Sequence, residues 1–153
     1  MIRQQLISDL ATLGPWLNSL SSTETPQSEI FSPELTDAFK AVISREIYRN
    51  GWFEPHEVKQ SLKGLSTWLN HETLNAFSSP YAYHEFRPSL GLILAGNLPM
   101  VGFHDILCGL LSGYKLQIKL SSDDQQLIPL IVRGLSELNP LYADLIQLNP
   151  PKL

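Results

Sequence analysis

The nine residues Gly91–Pro99, GLILAGNLP, decide how the rest of the chain is read. From Leu90 to Ala95 the side chains are continuously apolar with no helical spacing, and the run stops on small, turn-forming residues. That is the pattern of a strand covered on both faces that empties into a loop. Beyond it, Val101 to Ser112 returns to helical spacing through Phe103, Ile106, Leu107, Leu110 and Leu111, and Gly113 supplies a left-handed cap. KLQIKL, residues 115–120, is a second short strand. Ser122 with Gln125 three residues on reads as a capping box for a helix reaching Leu138, with Asp123 and Asp124 at its positive end. Pro129 removes a backbone donor, so this helix either kinks there or begins later, near Gln126. DLIQLNP, residues 144–150, is a third strand. The alternation predicts an α/β fold: part of an open parallel sheet with right-handed crossover helices.

Upstream, residues 1–88 have a helical pattern. Ile2, Leu6, Leu10, Leu13 and Leu17 share one face. Leu35, Phe39, Val42, Ile43 and Ile47 share another, behind a cap at Ser32 with Pro33 in the first turn. A third helix starts at Pro55 and aligns Val58, Leu62, Leu65 and Leu69. SSTETPQSE, residues 21–29, is polar and aperiodic, a surface loop. SSPYAYHEFRPS carries prolines and aromatics and marks the crossing from helices to sheet.

Composition narrows the classes. The chain has 153 residues, 43% hydrophobic and 17% charged, enough to bury a core. The formal net charge is -4 and the basic residues are scattered, so no basic stripe exists to follow a phosphate backbone and nucleic acid is not an expected partner. No apolar run approaches the roughly 18 residues of a membrane span, and no charged-then-apolar leader opens the sequence. The single cysteine, Cys108, allows no internal disulfide. A cytoplasmic location is expected.

In an open parallel sheet, ligands lie outside the carboxyl ends of the strands. AGNLP and KLSS both leave at those ends, which lines Asn97, Lys119, Ser121 and Ser122 along one rim. A carboxamide offers an N–H donor that does not titrate, suited to an oxygen that becomes negative during reaction. A strand-terminal lysine is a fixed cation with three donors, suited to phosphate or ribose hydroxyls. The bland alternatives stand beside these: an asparagine after glycine is a common turn residue, and an end-of-strand lysine is usually just solvated.

LGLILAGNLPMVGFHDILCGLLSGYKLQIKLSS, residues 90–122, resembles the acyl-CoA reductase family related to the fatty-acid reductase of bacterial luminescence, within the aldehyde dehydrogenase superfamily. REIYRNGWFEPHEVKQSL resembles the upstream helical segment of a branch found in Bacteroidetes-type bacteria. The likeness covers roughly residues 45 to 150. It implies an aldehyde-dehydrogenase-like nucleotide-binding fold, truncated, with residues 89–153 as a partial dinucleotide-binding region and the catalytic domain outside this chain. NAD or NADP is the implied cofactor and an acyl-CoA, or another acyl thioester, the implied substrate. Asn97 looks like the superfamily asparagine whose amide stabilises the tetrahedral oxyanion. Lys119 looks like the lysine that binds the adenosine ribose, and Gly96 lies where the loop backbone passes the nicotinamide side. Ser121 and Ser122 stand where Pro-Ser usually follows that lysine, and Leu120 where many members have proline. No G-x-G-x-x-G fingerprint is present, which agrees with this superfamily's different grip on a dinucleotide.

Reduction of a thioester by this route needs a cysteine nucleophile, and the resemblance puts that residue in the later catalytic domain. Cys108 sits mid-helix between Leu107 and Gly109 and reads as a packed thiol; His104 one turn earlier faces it without the exposed elbow that attack requires. His56, His71, His84 and His104 form no ligand set, so no metal is expected. Trp16, Trp52 and Trp68 fall in apolar patterns and read as core or subunit-contact residues. Glu54, Glu57 and Glu72 read as solvated helix-start carboxylates. Asp105 follows the same logic, with a hydrogen bond toward the Asn97 loop as the sharper option. Two classes remain: the cofactor-binding portion of an NAD(P)H-dependent acyl-CoA reductase, inactive alone, and a noncatalytic binding or assembly module. Self-association is expected where a short sheet exposes an unpaired edge.

Overall fold

The computed structural model describes residues 2–22 and 30–151. Helices α1 (Arg3–Ser21), α2 (Pro33–Arg45), α3 (Pro55–Trp68) and α4 (His71–Ser78) come first, with a 3-10 turn at Glu46–Tyr48 between α2 and α3. There follow β1 (Ser89–Ile93), α5 (Phe103–Leu111), β2 (Lys115–Lys119), α6 (Leu127–Leu138), α7 (Tyr142–Leu145) and β3 (Ile146–Leu148). The strands form a parallel sheet in the order β1-β2-β3, with Leu90 opposite Leu116, Leu92 opposite Ile118, and Leu116 opposite Ile146. The chain is thus mixed α/β with a small open parallel sheet.

Helical boundaries follow local chemistry. Ser32 Oγ accepts the Leu35 N–H at 3.2 Å with Pro33 in the first turn, as its sequence position predicts. Gly113 adopts φ +85, and a Cβ there would meet the His84 carbonyl oxygen at 2.6 Å, so only glycine fits this cap. Arg3 donates to the carbonyls of Leu111, Ser78 and Tyr81 at 3.1, 3.1 and 2.8 Å. Its guanidinium thereby ties the start of α1 to the carbonyl-rich ends of α4 and α5. Of SSTETPQSE, Ser21 closes α1, and residues 23–29 lie outside the described residues.

Three features differ from expectation. Helix α7 holds Asp144 and Leu145, expected in the third strand, so β3 is only Ile146–Leu148. Helix α4, which the sequence pattern does not signal, starts at Asn70, whose Oδ1 accepts the Thr73 N–H at 2.9 Å. The strand at Leu90–Ala95 is not covered on both faces. Leu90 and Leu92 pack inward and Leu94 is buried, whereas Gly91, Ile93 and Ala95 face out, Ile93 being 78% exposed. Lys115, Lys119 and Gln147 are exposed on the same outer side of β2 and β3. The strand order supplies the reason. In a sheet that runs 1-2-3 without reversal, right-handed crossovers put every connecting helix on one face. Helix α5 packs on β1 and β2, and α7 on β2 and β3, while α1 packs against α5 and α6 from behind. A single hydrophobic core runs from Leu6 in α1 through Phe39, Leu62 and Phe103 to Ile146 in β3.

Candidate functional site

The carboxyl ends of β1 and β2 lie side by side, with the Leu94 N–H bonded to the Lys119 carbonyl at 3.0 Å. The two loops that leave there are pressed together. A Cβ on Gly96 would sit 2.2 Å from Ser121 Oγ and 2.4 Å from its Cβ, so any larger residue would force the loops apart. Gly96 and Ser121 are therefore neighbours, and Ser121 Oγ also accepts the Asp123 N–H at 3.2 Å. Ser122 is exposed and donates to Asp123 at 3.4 Å.

The capping box expected at Ser122 and Gln125 does not form. The helix begins at Leu127, the later of the two starts that Pro129 allowed, and Asp124 caps it by accepting the Leu127 N–H at 3.2 Å. Pro129 then falls in the first turn, where its missing N–H leaves no intrahelical bond unmade. The other oxygen of Asp124 accepts the Met100 N–H at 2.7 Å. Met100 holds φ +59 with its side chain buried, so one carboxylate fixes both a left-handed turn and the start of α6. Burial pushes the Asp124 carboxyl above the ordinary range, and the backbone N–H groups aimed at it oppose that.

Asn97 projects from this fixed loop into solvent and makes no hydrogen bond to another described residue. Lys119 is also exposed, at the outer face of β2 opposite Ile93. Two cavities open on the rim. One, about 540 Å³, lies between α3, α5 and the Asn97 loop and is lined by Leu65, Trp68, Leu98, Pro99, Val101 and His104. A smaller apolar cavity of about 220 Å³ continues it past Trp68 and His104 toward Phe77. The other rim cavity, about 520 Å³, is polar and lies beside Ser122 and the 46–52 turn. Neither rim cavity is lined by Asn97, Lys119 or Ser121, so the four rim residues share an edge of the sheet rather than a walled pocket. The strand order explains this. A crevice at strand ends opens where the order reverses, and the described sheet has no reversal.

The remaining candidates divide clearly. Cys108 lies 3.8 Å from both ring nitrogens of His104, and its thiol is pushed up, first by burial and then by the Asp105 carboxylate. A raised thiol holds less thiolate, so the pair is not an activated nucleophile. Asp105 is exposed; its close polar neighbour is His104 at 3.8 Å, and it makes no hydrogen bond to the Asn97 loop. His56 pairs with Glu54 and Glu57 at 3.3 and 2.8 Å on the surface, and His84 with Tyr114 at 3.0 Å. No group of three or more His, Cys, Asp or Glu side chains able to hold a metal comes together among the described residues. Trp16 is core, stacked on Phe31 at 4.3 Å, and Trp68 borders the apolar cavities. Trp52 is not core: it is 84% exposed. Glu46 is 3% exposed within the 3-10 turn, although a glutamate in a polar helix end carries no sequence signal of burial.

No described helix is long and apolar enough to cross a membrane. No family model matches the chain, and neither a curated protein nor a solved structure does so.

Proposed function

We propose that this chain is the cofactor-binding portion of an NAD(P)H-dependent acyl-CoA reductase with an aldehyde-dehydrogenase-like nucleotide-binding fold, acting in the cytoplasm. The observation that carries the reading is the setting of the Asn97 loop. It is locked by Asp124, it presents a free carboxamide, and it forms one wall of an apolar cavity of about 540 Å³, a volume suited to an acyl chain. Residues fit the implied dinucleotide to a limited extent. Lys119 is an exposed cation at a strand end, able to meet ribose hydroxyls or phosphate, and Ser122 is exposed beside it. Gly96 is explained by contact with Ser121 without any ligand.

In this reading NAD(P)H, when bound, supplies the hydride. The chain's own part is to hold the cofactor through Lys119 and Ser122 and to aim the Asn97 N–H at the thioester oxygen, whose negative charge grows during attack. The reaction also needs a cysteine nucleophile, and Cys108 does not meet that need, so the chain alone is expected to be inactive. In a protein that pairs these residues with such a cysteine, Asn97→Ala lowers turnover by about 10²-fold or more; unchanged turnover contradicts the assignment.

A second reading rests on the open outer face of the sheet and on the edges of β1 and β3, which pair with no further strand among the described residues. These favour a noncatalytic assembly module that self-associates through Ile93 and its neighbours. The two readings separate on cofactor binding, which only the first requires.

A further inference from the structure

The polar cavity at the 46–52 turn meets the proposed cofactor contacts only at Ser122. It encloses about 520 Å³ and is lined by Glu46, Arg49, Trp52, Ser122, Asp123 and Gln125, among others. Glu46 is 3% exposed, yet among the described residues its carboxylate accepts no hydrogen bond and joins no ion pair. Burial and the nearby Asp124 carboxylate both raise its pKa, and Arg49 only partly offsets them. Its oxygens keep contact with solvent through the cavity, so a bound hydroxyl can replace water as their donor.

Trp52 adds an apolar surface to this cavity. It is 84% exposed on a turn held by hydrogen bonds. Asn50 Oδ1 accepts the Trp52 N–H at 3.0 Å, the Asn50 carbonyl accepts the Phe53 N–H at 2.9 Å, and Phe53 is fully buried beneath. Folding needs Phe53 inward; nothing in the fold needs a bare indole beside it. The cavity therefore combines a flat apolar platform, carboxylate acceptors at Glu46 and Asp123, and donors at Arg49 and Gln125. The lining carries two carboxylates and one guanidinium, which disfavours a simple anion, and no metal-holding group comes together there among the described residues. A ring that carries several hydroxyls satisfies all three features. Its C–H face lies on the indole, its hydroxyls donate to the carboxylates, and its oxygens accept from Arg49 and Gln125.

We propose that this cavity binds a polyhydroxylated ring, with Trp52 as its stacking platform and Glu46 as its principal hydroxyl acceptor. Such a ring comes either from the ribose of a nucleotide or from a free sugar, and neither source requires the reductase reading. Ligand-observed NMR titrations with AMP, D-ribose and D-glucose distinguish them, each run on the wild-type chain, Trp52→Ala, Glu46→Gln and Lys119→Ala. Binding of at least one probe, about tenfold weaker in Trp52→Ala and weaker also in Glu46→Gln, supports the site. AMP alone identifies a nucleotide ribose, and ribose or glucose identifies a free sugar. Trp52 is on the surface, so its variant folds and decides the matter even if the Glu46 variant does not. No binding of any probe at millimolar concentration to folded protein overturns the proposal, as does binding unchanged by Trp52→Ala. AMP binding that depends on Lys119 but not on Trp52 also overturns it, while leaving the cofactor reading intact.

Discussion

The Met100 N–H donates to the Asp124 carboxylate at 2.7 Å, joining the loop after β1 to the start of α6 across 24 residues of sequence. The other oxygen of the same carboxylate caps α6 through Leu127. Removing it strands two backbone donors where water has little access. Asp124→Ala is expected to cost about 2 to 4 kcal/mol in urea denaturation, the sum of a lost cap and an unpaired buried N–H. Asp124→Asn, which keeps an acceptor oxygen, should cost less.

The pH dependence follows from Glu46 and Asp124 together. Burial raises both pKa values above the ordinary 4.5 and 3.8, so the folded chain binds these protons more tightly than the unfolded chain does. Their contribution is fully present below those ordinary values and is lost as pH rises through the higher folded ones. Glu46→Gln removes the Glu46 share of that loss. Its denaturation midpoint should exceed wild type at pH 7, and the two should converge as pH falls toward 4.5. A variant less stable than wild type at pH 7 would contradict the assignment of an unpaired carboxylate.

Gly96 and Ser121 make a steric pair that can be tested in both directions. Gly96→Ala puts its Cβ 2.2 Å from Ser121 Oγ and should destabilise by about 1 to 3 kcal/mol. Ser121→Gly in the same chain removes the opposing atoms, and the double variant should recover much of the loss. Strict additivity in this cycle would show that the loops do not touch.

Ile93 tests the open sheet face. Sedimentation equilibrium should show concentration-dependent association of the wild-type chain, and Ile93→Asp should shift it toward monomer, because an exposed apolar contact is replaced by a charge. Equal association in the two proteins would remove Ile93 from the contact.

Much of the fold is legible in the sequence because its signals are local. The Ser32 cap, the Gly113 turn and most of the helical stripes of α1, α2, α3 and α5 depend on a few neighbouring residues and form as expected, except that Ile2 precedes α1 and is exposed and Ile47 falls in the 3-10 turn after α2. The α6 cap is not legible locally: Ser122 with Gln125 matches a capping pattern, whereas Asp124 is fixed by a partner 24 residues away at Met100. Helix α4 contributes only Leu74 and Ser78 to the interior, too few positions to show a period. The open sheet face escaped notice because an unbroken apolar run hides which residues alternate; Leu90 and Leu92 face in and Ile93 out only once the strand order is known. At the rim, the sequence identified the strand ends, but not that Gly96 and Ser121 would fill the space between them. Glu46 and Trp52, drawn together by the turn after α2, were invisible as a pair.

The most direct test of the proposed function is calorimetric titration of the chain with NADPH and with NADH, on wild type and on Lys119→Ala. Saturable binding of at least one of them to wild type is expected, weakened about tenfold or more by loss of the lysine. A folded wild-type chain that binds neither, or a Lys119→Ala chain that binds as tightly as wild type, would contradict the proposed function.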